Sequence, residues 1–240
     1  MDSSILARAF NWAKSAAFAG ALPPSVRQWA PLFINAGRMY GVNPWVLAGI
    51  CYRESRGGDA LTPKGPAGTG DFTPRGSGST YFRFANPATG LPPDGKGWGR
   101  GIMQLDFGAE NAWVTSHDWT DPQASINRAA EILAGRLAFF ASQPFSAVAI
   151  QQWRIDTGIP TIGIAPWRTK YPRASWPTTA PDPRPLAGAA LQAAAVASYN
   201  AGTSGVLQAL ALGLPPDAPT AGQDYVSWFL RKISEWSVNF

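Results

Sequence analysis

Apolar positions along the chain recur every three to four residues in several separate stretches, the spacing that places them on one face of an α-helix. Ile5, Leu6, Ala9, Phe10, Ala13 and Ala16 predict a short amphipathic helix at the start. Pro23-Pro24 close it, and Ser25 is placed to cap a second helix. The inner face of that helix carries Trp29, Leu32, Phe33, Ala36, Met39 and Tyr40, and Gly41 stands where it must stop. Asn43-Pro44 combine a capping side chain with a proline at the first helical position, which predicts a third helix. On it Leu47, Ile50, Cys51 and Glu54 share one face. Asp121-Pro122 repeat the signal and open a long helix with Ile126, Ala129, Ala130, Leu133, Leu137 and Phe140 turned inward. An alanine-rich helix over 186–198, a further one over 204–212 and a last one over 223–237 complete the set.

Two stretches break the pattern. Glycine, proline, serine and threonine dominate 57–101, with Phe72, Tyr81, Phe82, Phe84 and Trp98 interspersed, which predicts ordered loops and a short β-hairpin. Residues 153–185 are rich in proline and aromatics. There is no internal repeat and no linker. The chain therefore reads as one mainly α domain over 1–240, with an N-terminal helical extension (1–24) and two loop insertions (59–98 and 151–187).

Composition narrows the chemistry. The single Cys51 rules out an internal disulfide, and its apolar surroundings predict a buried structural thiol. One cysteine and one histidine, His117, argue against a transition-metal site, so no metal or cofactor is expected. The net charge of +5 favours polyanionic partners such as a cell wall, an acidic membrane surface or nucleic acid. The basic residues are scattered and match no nucleic-acid-binding motif, which gives no support to that last partner. No apolar stretch is long enough to span a bilayer, and residues 15–22 are too short for a clear signal peptide.

Glu54 is the residue with a chemical signature. It continues the apolar face of its helix to the end, so it is expected to point toward the core or a cleft. Partial desolvation there favours the protonated carboxyl. Arg53 and Arg56 fall on other faces and are expected to turn outward.

Three segments stand in order: Tyr52-Arg53-Glu54-Ser55-Arg56-Gly57-Gly58, Gly99-Arg100-Gly101-Ile102-Met103-Gln104-Leu105-Asp106, and Ala197-Ser198-Tyr199-Asn200-Ala201-Gly202. Together they resemble the goose-type lysozymes and the related lytic transglycosylases. In that family a glutamate-serine pair ends a helix, a Gly-x-Met-Gln turn lines the cleft, and a Tyr-Asn-Ala-Gly segment follows a buried helix. Asp224-Tyr225 also resemble the pattern before the family's last helix. The resemblance runs from about Ala30 to Trp236, outside the insertions. It implies a lysozyme-like α+β fold, mainly helical with a small hairpin region, and a sugar-binding groove.

The implied activity is cleavage of the β-1,4 bond between N-acetylmuramic acid and N-acetylglucosamine in bacterial peptidoglycan, by a monomer acting at the cell wall. Glu54 is the implied general acid. An inverting hydrolase also needs a carboxylate that holds a water. Asp106 resembles one goose-type aspartate, and Asp94 resembles the other after a one-residue insertion. Asp106 is equally placed to cap a helix from near Phe107, and Asp94 lies in good turn sequence. Ser55, Met103, Gln104, Tyr199, Asn200, Tyr225 and Trp98 are the implied substrate-binding residues, though Met103 and Tyr199 suit core positions as well. Trp113, Trp153, Trp167 and Trp176 are further residues able to stack on sugars. Gly99, Gly101 and Gly202 suit tight turns or close approach. Two alternatives stay open: a lytic transglycosylase in which Glu54 acts alone, and a non-catalytic wall-binding module.

Overall fold

The computed structural model describes residues 15–79, 81–143, 183–211 and 213–237. The predicted first helix up to residue 14 and the insertion residues 151–182, with Trp153, Trp167 and Trp176, lie outside the described residues. The chain is mainly helical and gathers into two compact units. One holds the described residues up to Ile132 together with 232–237, and the other holds the described residues between Leu133 and Arg231.

In the first unit, α1 (Ser15–Ala21) is followed by α2 (Pro24–Arg27), α3 (Ala30–Tyr40) and α4 (Pro44–Ser55). The proline pair acts differently from expectation. Pro24 starts the short α2 instead of leaving Ser25 as a cap, and the chain turns at Gln28-Trp29 before α3 begins. Gly41 ends α3 in the left-handed conformation, as predicted. Asn43 caps α4 by accepting the Trp45 N–H at 2.9 Å. Every residue of α4 from Pro44 to Cys51 is buried, so the helix is the centre of the unit rather than an amphipathic surface helix. Phe18 packs edge-on against Trp45 at 4.6 Å, and Val26, Phe33, Leu47 and Ile50 are fully enclosed.

The end of α4 is tightly built. Arg56 (φ 51°) and Gly57 (φ 70°) both turn left-handed, and a Cβ on Gly57 would lie 2.1 Å from the Ser25 carbonyl oxygen. Only glycine tolerates that combination. The Gly57 carbonyl in turn accepts the Trp29 indole N–H at 3.1 Å. Ser55 is fully buried. Its hydroxyl accepts the Gly58 N–H at 3.1 Å and directs its proton to the carbonyls of Ile102 at 2.6 Å and Cys51 at 3.0 Å.

The glycine-rich stretch forms a small antiparallel sheet, β1 (Thr69–Gly70), β2 (Gly99–Arg100) and β3 (Leu105–Asp106), in that order. Thr69 stands opposite Arg100, and Gly99 opposite Asp106. The hairpin, β2–β3 joined by residues 101–104, lies at the end of the glycine-rich stretch and beyond it rather than within 57–101, where β1 pairs with β2 across a long connection. Beyond α5 (Asn111–Ser116), α6 (Pro122–Ala141) starts from Asp121, whose carboxylate accepts the N–H groups of Gln123 and Ala124.

In the second unit, α7 (Gly188–Ala211) buries Ala193 through Ser198. The two helices predicted over 186–212 are one run interrupted at Gly202, whose φ of 73° and ψ of 156° are non-helical. α8 (Tyr225–Ser237) is capped from a distance: the buried Asp217 carboxylate accepts the N–H groups of Val226 at 2.6 Å and Ser227 at 3.0 Å. No described helix is long and apolar enough to cross a membrane.

Ser55→Ala leaves the Gly58 N–H without its acceptor in a buried setting and cuts the tie to Ile102. Urea unfolding is expected to show a loss of about 1–3 kcal/mol; a change within about 0.5 kcal/mol would contradict this reading of the α4 terminus.

Candidate active site

Glu54 lies half-buried on the last turn of the enclosed helix α4, and the next residue is pinned to the sheet region through Ser55. The first two sequence segments therefore meet: the carboxyl-bearing helix end is bonded to the carbonyl inside Gly101-Ile102-Met103-Gln104. Arg56 is exposed and Arg53 half-buried. Tyr52 packs edge-on against Trp236 at 5.7 Å. Cys51, one turn before Ser55, is wholly buried. Burial pushes its thiol up to about 12, against lowering hydrogen bonds from Ser55 and Gly57 and with a small further rise from the Glu54 charge. A thiol held so firmly protonated is no nucleophile, in keeping with its predicted structural role.

Three residues of the first unit expected to touch substrate turn inward. Ser55, Met103 and Trp98 are all fully enclosed. Ser55 is a strut between helix and turn, because each of its hydrogen-bonding directions is used inside the protein. Met103 and Trp98 are core, and Trp98 packs against Phe107. Gln104 is half-exposed with φ of 51°, and its amide nitrogen donates to the Gly101 carbonyl at 2.8 Å. Its amide oxygen lies across β1 and β2, where a Cβ on Gly99 would come within 2.1 Å and one on Gly70 within 2.3 Å. The space over Gly99 is thus filled by the Gln104 side chain.

The two aspartates are each committed to an arginine. Asp106 does not cap a helix at Phe107, because α5 begins only at Asn111. Instead its Oδ1 accepts the N–H groups of Gly108 and Ala109, both at 2.8 Å, and so fixes the turn before α5. Arg75, from the first insertion, pairs with both oxygens of Asp106 and with Asp71. The Arg75 guanidinium also lies 4.0 Å over the Trp98 ring. Asp94 does sit in turn geometry, accepting the Lys96 N–H at 3.2 Å. It also faces Arg100, whose two terminal nitrogens each donate to a separate Asp94 oxygen at 2.9 Å. Burial raises the Asp94 carboxyl, but the hydrogen bonds from Arg100 and Lys96 and their positive charges outweigh it and hold it below its ordinary range.

Neither arginine pairing was among the features singled out in the sequence. Arg100 stands six residues beyond Asp94 across the Gly95-Lys96-Gly97 turn, so its spacing was a usable signal. Arg75 is 31 positions from Asp106 and carried none.

Tyr199, Asn200 and Tyr225 belong to the second unit. Tyr199 is half-buried with the Arg136 guanidinium 5.4 Å from its ring. Asn200 is exposed, and its Oδ1 accepts the Ala221 N–H at 2.8 Å. Tyr225 is buried at the start of α8, a core position. Trp113 is half-buried and stacks on His117 at 4.9 Å. Among the described residues, no group of three or more His, Cys, Asp or Glu is placed to hold a metal ion.

No protein-family model matches the chain, and no curated protein sequence matches it.

The depressed Asp94 carboxyl stabilises the folded state above its ordinary value of 3.8, and that contribution is lost as pH falls through the depressed one. Urea unfolding between about pH 5 and about pH 2 should show wild-type stability falling more steeply than that of Asp94→Asn. Parallel curves would contradict the pairing.

Proposed function

We propose that this protein cleaves the glycan strands of bacterial peptidoglycan, with Glu54 as the general acid that protonates the leaving glycosidic oxygen. The observation that carries the reading is the junction at Ser55. It bonds the helix end bearing Glu54 to the Gly-Ile-Met-Gln turn, the two segments whose order resembles goose-type lysozymes and lytic transglycosylases. A carboxyl-bearing residue half-buried at the end of an enclosed helix suits a general acid, which gives its proton to the leaving sugar oxygen. The mainly helical architecture with one short β-hairpin is compatible with a lysozyme-like fold. The positive net charge favours approach to an anionic wall.

Hydrolysis of the bond between N-acetylmuramic acid and N-acetylglucosamine requires a water, and Asp94 and Asp106 are the carboxylates proposed to hold it. Asp94 is 43% exposed at its side chain and Asp106 34%, so each keeps solvent-facing surface. A second reading draws on their arginine pairing. A carboxylate already neutralised by a guanidinium is a weak base toward water. That favours a lytic transglycosylase, in which Glu54 serves first as acid and then as base and the muramic acid's own hydroxyl closes an anhydro ring.

Mass spectrometry of peptidoglycan digested by the purified protein separates these readings. The hydrolase yields fragments with free reducing ends. The transglycosylase yields fragments lighter by a water molecule. An intact, undigested wall would contradict both and leave a non-catalytic wall-binding module.

A further inference from the structure

Arg100 is the most enclosed charge in the described structure. Its side chain has 0% exposure, on strand β2 between Thr69 and Leu105 of the neighbouring strands. Burying a guanidinium is costly unless it is paired, and its charge cannot be relieved by losing a proton in the accessible range. Its terminal nitrogens form the two-pronged contact with Asp94, while the rings of Phe107 and Trp119 lie 4.8 Å and 5.5 Å from its centre. Among the described residues its Nε has no hydrogen-bond partner. Such a pair contributes little net stability relative to apolar packing of the same volume. What it supplies is geometry. A two-pronged contact fixes the plane and direction of a carboxylate as a single ammonium does not.

We propose that Arg100 is a positioning residue: it holds the Asp94 carboxylate from beneath in one orientation, with its free face toward solvent, for use in the glycan cleavage reaction. The charged groups facing Asp94 are Arg100 from β2 and Lys96 from its own turn. Asp106 is held differently. Two backbone N–H groups and an arginine from the insertion occupy it, so it is bound into the fold of the following turn. The proposal rests on the hydrolase form of the glycan-cleavage reading, in which an aspartate holds the water, and its first measurement is made without substrate.

That measurement is a carboxyl-carbon NMR titration of Asp94 in the full-length protein, in wild type and in Arg100→Gln. The Asp94 midpoint lies below 3.8 in wild type and rises to 3.8 or above in the variant. The acid limb of the kcat profile on peptidoglycan moves up with it. An Asp94 midpoint unmoved by Arg100→Gln would overturn the proposal, as would a shifted midpoint with an unshifted acid limb. Arg100→Lys keeps the charge but loses the fork, and it provides the test if Arg100→Gln does not fold. It should lower kcat about tenfold while KM stays within about twofold, and wild-type kcat in this variant would overturn the positioning role. A shifted midpoint in a protein that leaves peptidoglycan uncut would instead sink the glycan-cleavage reading, and with it the use proposed for Asp94.

Discussion

The hydroxyl of Ser55 is the contact on which the arrangement of the first unit depends. Helix α4 is enclosed along most of its length, so its position is set by packing, but packing alone does not say where its last turn points. The Ser55 Oγ settles that by binding the Ile102 carbonyl on one side and the Gly58 N–H on the other. The sharp exit of the chain through Arg56 and Gly57 is then dictated by the space left beside Ser25. Because Glu54 is the residue before Ser55, a buried hydrogen bond with no chemistry of its own decides where the carboxyl group stands. A serine at this place reads as part of a site motif and acts as a strut.

Charge is the second constraint. Each aspartate near the sheet meets an arginine, and the two arginines differ in kind. Arg100 is buried permanently under a turn, whereas Arg75 is delivered by an insertion and is 17% exposed. The first insertion is thereby tied through Arg75 to Asp106 at the sheet. At Asp94 the pairing holds the carboxyl below its ordinary range, which keeps it ionised and weakens it as a base. This is why the structure sharpens the choice between a water held by an aspartate and a reaction run by Glu54 alone.

Local signals in the sequence were legible where one residue type has one local use. Asn43 and Asp121 cap the helices they were expected to cap, and Gly41 ends α3 left-handed. The loop composition of 57–101 signalled an irregular, glycine-rich region with some strand, but the hairpin formed at its far end, over 99–106. Tertiary facts were not. Proline at 23 and 24 satisfies both the end of one helix and the start of another, so the sequence alone could not place the boundary. Gly202 breaks the helical geometry of α7 without ending its hydrogen-bonded run. Trp98 and Met103 carry side chains equally suited to a groove or a core, and the packing chose the core. The arginine partners of the aspartates depend on chain segments brought together by folding.

The central claim is that Glu54 is the reacting acid and the rest of the site holds it in place. The most direct measurement is to compare wild type and Glu54→Gln for solubilisation of purified cell walls, alongside sedimentation of each protein with those walls and its melting temperature. The account predicts that the variant binds walls and melts as wild type does, yet releases no soluble fragments. A variant that solubilises walls at the wild-type rate would contradict it.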